Sequence, residues 1–261
     1  MELKLQRQYH KLKSVLGLSF SLSRAHIKLR NEGSYLGVLW YLLGPLGMFC
    51  IILFIKGTAF SHVEMAHYPL YLLIGLIIYN LFTKFISKSI SVIERNGGLL
   101  KNIQFNSVAL IISEILQLLF SHFFEFILLA LCMIYFDVSL AGLIVYILFF
   151  PVFLVFLLGC SFLFATVGAY ISDLGNVWNP ISQLVFFVTP IFHILQPDTH
   201  LYMFNSYNPL YYFITVFRDA IIYNNFPSFS IVAIIVVISV VSFIIGLSVF
   251  SLHKKHFPEL T

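Results

Sequence analysis

Five polar side chains interrupt an otherwise apolar stretch of this 261-residue chain: Glu114, Gln117, Ser121, His122 and Glu125. At about 100° per residue they share an arc of roughly 140°, so a helix through them presents a single polar stripe. Two carboxylates with an imidazole between them suit a proton relay through Glu114, His122 and Glu125; the same groups also suit hydrogen bonding between packed helices, the commoner use of such side chains. Other chemistry is sparse. His253 and His256 lie near a basic terminus without further ligands, and Cys50, Cys132 and Cys160 sit inside apolar runs with no metal-ligand spacing. No Ser/His/Asp arrangement can be assigned, and no G-x-x-x-x-G-K-[ST] phosphate loop occurs. The sequence thus assigns no catalytic residue, no cofactor-binding residue and no metal ligand.

The elements that must position the stripe follow from composition. The chain is 60% apolar and 10% charged, with a mean hydropathy of +0.95, against about a quarter charged in soluble proteins. That describes an integral membrane protein with little soluble mass. A nucleotide-hydrolysing domain needs on the order of 150 residues of its own, so any ATP chemistry belongs to another chain. Six runs approach the roughly 20 apolar residues of a span: 36–55, 68–86, 108–136, 140–171, 177–195 and 230–252. The first is too long for a signal-peptide core and reads as a retained span.

Lysine and arginine choose the orientation. Thirteen of fifteen fall in the N-terminal arm, at or beyond the end of the second run from Lys84 on, or at the C-terminus, leaving Lys56 and Arg218 opposite. The positive-inside rule then puts both termini in the cytoplasm. The net charge of +4 reflects topology and lipid contact, with no case for nucleic acid. The expected fold is an all-α integral membrane protein with six transmembrane helices. It has a cytoplasmic amphipathic arm (1–35), a transmembrane domain (36–252) and a cytoplasmic tail (253–261).

Within that plan, Leu5, Tyr9, Leu12 and Leu16 have the helical spacing of an interfacial helix. The cytoplasmic loop 88–106 reads as a short helix over 89–95, a break at Asn96-Gly97-Gly98 and a second helix over 99–105. That second helix would leave Leu99, Leu100, Ile103 and Phe105 exposed and in need of a partner surface. The fourth run has Pro151 at a kink and Ser161, Ala165 and Ala169 as a small-residue packing face. The fifth, bracketed by Pro180 and Pro190, should bend or break. Segment 196–226 is too polar for a span and too aromatic for an ordinary loop. It reads as a re-entrant extracytoplasmic element, in which Arg218-Asp219 forms either a local ion pair or helix-end contact, or an external gate.

A basic arm followed by Leu36-Gly37, Trp40 and Pro45, together with 170–192 (YISDLGNVWNPISQLVFFVTPIF) and 208–218 (NPLYYFITVFR), resembles the ABC-2 type permeases that export polysaccharides such as O-antigen, capsule or teichoic acid precursors. The resemblance implies a homodimer joined by two copies of a separate ABC ATPase subunit, which carries the ATP and Mg2+. It also implies a lipid-linked polysaccharide substrate and a bacterial inner membrane. It makes 88–106 a coupling loop, with Glu94, Asn96, Leu100, Lys101 and Asn102 as the positions that dock on the ATPase. Arg218 and Asp219 become external gate candidates. Trp40, Tyr41, Phe186 and Phe187 fall where a conduit would run, and aromatic planes stack on the C–H faces of sugar rings without demanding one hydroxyl pattern. Asn106 stands where such permeases often have proline. Three other readings compete: a proton-coupled transporter using the stripe, an ABC-2 exporter of drugs or lipids, and a membrane glycosyltransferase.

Overall fold

A computed structural model of the chain describes the backbone of residues 2–32, 40–59, 67–102, 106–196 and 199–260, and the side chains of 13–29, 32, 40, 42–55, 67–101, 106–196 and 199–260. The regular structure among the described residues is all helical. In chain order the helices are α1 (Glu2–Asn31), α2 (Trp40–Ala59), α3 (Tyr68–Ile90), α4 (Val92–Arg95), α5 (Gly97–Asn102), α6 (Ser107–Tyr135), α7 (Gly142–Tyr170), α8 (Leu174–Val188), α9 (His200–Asn205), α10 (Pro209–Tyr223), α11 (Phe229–His253) and α12 (Phe257–Leu260).

A helix that is apolar on every side belongs in an interior, and α3 takes that place. Its residues from Leu70 to Ile78 are all buried, and α2, α6, α7, α8 and α10 pack around it. Pro69 sits in its first turn, where a missing N–H costs nothing. Asn106 supplies the N-cap of α6, accepting a hydrogen bond from the Val108 N–H at 3.1 Å. Asn106 therefore fixes where this helix begins. On the outer side of the bundle α11 lies along α7.

Among the described residues α3, α6, α7 and α11 are long and apolar enough to cross a membrane. α2 offers a shorter apolar run, Leu42–Ile55. The fifth expected span is corrected: α8 stops at Val188 after 15 residues, about 22 Å of helix against roughly 30 Å of hydrocarbon. Pro190 is the cause, because a proline disfavours helical backbone in the residue before it, here Thr189. Pro180 and Pro151, by contrast, lie inside continuous helices.

Two packing faces also differ from expectation. Leu16 of α1 is exposed, whereas Val15, Ser19 and Ser23 are buried, and α1 packs on α6. The Ser19 hydroxyl shares its proton between the carbonyls of Val15 (2.7 Å) and Ala109 (3.1 Å). Small polar residues let the two backbones approach, so helix packing overrides the leucine stripe. Leu5, Tyr9 and Leu12 have side chains outside the described residues. On α7, Ser161 and Ala165 are buried and Ala169 only partly so. The tightest crossing with α11 is set by Gly159, against Ser242 and Gly246.

Candidate functional site

The polar stripe of α6 faces inward, and every ionisable group in it has a partner. Glu114 is held by Lys88 of α3 (Nζ to Oε2, 2.8 Å) and by Arg95 of α4 (Nη2 to Oε1, 2.7 Å). Lys88 also donates to Gln117 Oε1 at 3.2 Å, and Gln117 Nε2 donates to His26 Nδ1 of α1 at 3.1 Å. Two turns further along, Glu125 is paired with Lys84 at 2.9 Å and accepts from His122 Nδ1 at 3.2 Å. The other ring nitrogen of His122 shares a hydrogen bond with the Tyr146 hydroxyl at 2.9 Å, and the ring stacks on Phe150. The stripe therefore ties α6 to α1, α3, α4 and α7. Buried charges persist when paired and hydrogen-bonded, and this arrangement supplies both. Lys84 and Lys88 read in sequence as topology charges; their i, i+4 spacing at the end of α3 was the available hint that they share a face.

The loop 88–106 differs from its expected form. α3 continues through Lys88 to Ile90, a turn at Ser91 opens the four-residue α4, and Gly97-Gly98 begins α5 rather than breaking the chain. Glu94 and Lys101 are exposed; Asn96 donates its Nδ2–H to the Val92 carbonyl at 2.7 Å. Leu100 is only 6% exposed, in the same buried cluster as Phe257, because α12 packs over α5. The expected exposure of Leu100 is thereby corrected, and the covering element comes from the far C-terminus. Ile103, Phe105 and the Asn102 side chain lie outside the described residues. Replacing Leu100 by Asp places a carboxylate in this apolar contact at a cost of several kcal/mol. The expected result is faster hydrogen exchange in both α5 and α12, while Lys101→Asp leaves their exchange unchanged.

At the other end of α8, the chain leaves the helix with its polar groups captured one after another. Asn205 Nδ2 donates to the Val188 carbonyl (2.9 Å) and Asn208 Nδ2 to Thr189 Oγ1 (2.9 Å). Arg218 donates from Nη1 to Pro190 O (2.6 Å) and from Nη2 to Ile191 O (2.8 Å). The hydroxyls of Tyr68 and Tyr71 donate to Phe192 O (2.7 Å) and His193 O (3.0 Å). Arg218 Nε also reaches Tyr71 O at 3.0 Å, and the guanidinium lies 3.4 Å from the Tyr71 ring centroid. Gly75 makes the room: a Cβ there would meet Arg218 Nη2 at 2.5 Å. Burial pushes the Arg218 guanidinium down to about 10, which leaves it charged at neutral pH.

Arg218 and Asp219 form no ion pair among the described residues. The main-chain carbonyl of Asp219 instead accepts from Asn224 and Asn225 at the end of α10, while burial raises its carboxyl above the usual range. Tyr68, Tyr71 and Gly75 escaped the sequence reading because they fall within an apolar run.

Between α2 and the segment that follows α8 lies a groove of about 700 Å³, lined by Met48, Ile51, Tyr68, Phe186, Phe187 and Phe192 among others. Phe186 is turned inward at 7% exposure, edge-on to Tyr79, whereas Phe187 is 63% exposed. Trp40 is exposed on α2; the Tyr41 side chain lies outside the described residues. At the C-terminus, His253 Nδ1 donates to the Val249 carbonyl at 2.8 Å and His256 lies 3.6 Å from Glu259.

Nearly the whole chain is similar to proteins that are themselves described as O-antigen export system permease protein RfbA. The one from Myxococcus xanthus is 23% identical over 247 residues, covering 93% of this chain and 95% of the relative. One from Klebsiella pneumoniae is 25% identical over 258 residues, covering 96% and 98%. No protein-family profile matches the chain. The likeness to ABC-2 type polysaccharide-export permeases, read above from three motifs, thus extends along almost the entire sequence.

Proposed function

We propose that this chain is the membrane-spanning subunit of an ATP-driven exporter that moves a lipid-linked polysaccharide out of the cytoplasm across a bacterial inner membrane. The observation that carries the reading is the end-to-end likeness to O-antigen export permeases from two organisms. The engine is a separate ABC ATPase with its ATP and Mg2+. It acts on the cytoplasmic loop through exposed Glu94 and Lys101. The passage is a homodimer of this chain with all termini cytoplasmic. Two exposed apolar stripes support that assembly: Trp40, Leu43, Met48 and Ile51 on α2, and Val177, Ile181, Leu184 and Phe187 on α8. A second copy covering them would enclose the aromatic groove, and its rings would offer sugars a weakly binding surface along which a polymer slides.

The test is reconstitution into vesicles with a polyprenyl-diphosphate-linked polysaccharide. Transport is expected only with the ATPase subunit and ATP together; movement by the purified chain alone overturns the proposal. The stripe offers a second check. Glu125 is 1% exposed and salt-bridged to Lys84, so Glu125→Gln should cost about 1–3 kcal/mol of stability, seen as a lower melting temperature. Export per folded molecule should stay at the wild-type rate. Abolished export from a fully folded variant would instead favour the proton relay.

A further inference from the structure

We infer that Arg95 and Glu114 form a releasable clasp through which movement of the coupling loop reaches α6 and α1; this rests on the exporter reading above. Arg95 ends α4 immediately before the Asn96-Gly97 junction with α5, and its bond to Glu114 is the one ion pair α4 makes among the described residues. The two ends of that pair differ. Glu114 is 6% exposed by its side chain and fixed in α6, whereas the Arg95 side chain is 49% exposed. Lys88 holds the other carboxylate oxygen.

This asymmetry makes the bond cheap to open. Losing its only partner would leave a buried carboxylate uncompensated. With Lys88 in place Glu114 stays paired, and Arg95 moves into water. Lys88 and Gln117 then extend the connection to His26 on α1, so a change at Arg95 alters the network holding the N-terminal helix. Arg95 and Glu114 are thus positioning residues: Glu114 is too deep to touch an ATPase and acts through Arg95.

The test uses the full-length chain, alone and with its ATPase subunit. Spin labels at exposed Lys101 and Lys28 report the distance between α5 and α1 in the chain alone. Arg95→Gln is expected to broaden the distribution and Arg95→Lys to restore it, since a single contact to one carboxylate oxygen needs only a point charge. In the reconstituted complex, Arg95→Gln should lower export per ATP hydrolysed by about fivefold or more. Because Glu114 also holds Lys88, Arg95→Gln/Glu114→Gln should be no worse than Glu114→Gln alone.

Additive losses in the double variant, or an unchanged distance distribution and unchanged coupling in Arg95→Gln, overturn the clasp. A broadened distribution with unchanged export per ATP overturns its role in coupling. If Glu114→Gln fails to fold, Arg95→Gln and Arg95→Lys still decide, because the exposed position tolerates both. Should the wild-type complex show no ATP-dependent export, the exporter reading fails, while the label distances in the chain alone still judge the ion pair.

Discussion

Replacing Arg218 by leucine is expected to release the C-terminal end of α8 and to lower stability by about 3 kcal/mol or more. The carbonyls of Pro190 and Ile191 both depend on this guanidinium, and a buried acceptor left without a partner costs about 1–3 kcal/mol. Loss of the stacking on Tyr71 adds to this. Arg218→Lys should recover only part of the loss, since an ammonium cannot present donors in the planar fork that spans Tyr71, Pro190 and Ile191. Tyr68→Phe and Tyr71→Phe each remove one hydroxyl donor and should cost about 1 kcal/mol. Thermal unfolding of the purified chain checks this order. Faster hydrogen exchange at residues 189–193 in Arg218→Leu locates the damage, and an unchanged melting temperature would reject the account. In any rearrangement of the bundle this segment should move with α3 and α10 as one body, because six consecutive residues are tied to them and to α9.

Periodicity was enough to show the stripe on α6, because angular position depends only on the residues within one helix. It could not show the partners. Lys84 and Lys88 counted as solvent-facing charge, but α3 runs four residues past its expected end, so that Lys88 joins Lys84 on the helix and the two meet Glu114 and Glu125. Leu100 was legible as apolar and not as covered, since its lid is α12, an element that sequence proximity gives no reason to place there. α1 illustrates a competition between two signals. Its leucines suit a lipid surface, but Val15, Ser19 and Ser23 allow closer contact with α6, and that contact decided which face is buried. The likeness to exporters rests on whole-chain similarity, and none of the polar clusters would have named a substrate. What the clusters explain is how the ends of the helices are held.

Replacing Gly246 by leucine should separate α7 from α11 and leave little folded protein. A Cβ at position 246 would fall against the carbonyl oxygen of Gly159, with Gly159 C and Cα at 2.8 and 3.1 Å. These are backbone atoms, which cannot rotate aside as a side chain does, so the helices themselves must part. With them would go the Phe162–Phe250 ring contact at 5.1 Å and the hydrogen bond from Ser242 Oγ to the Phe156 carbonyl at 3.3 Å. Inside a bilayer no hydrophobic force draws helices together, so close van der Waals contact supplies the attraction. Overpacking costs about 1–3 kcal/mol where neighbours can yield, and more where they cannot. Even Gly246→Ala should destabilise measurably, whereas Gly17→Ala, with nothing within 4 Å, should gain up to about 1 kcal/mol from helix propensity. The yield of monodisperse protein after detergent extraction reads the contrast. A Gly246→Leu variant that is extracted and melts like the wild type would show that α7 and α11 do not meet at these two glycines.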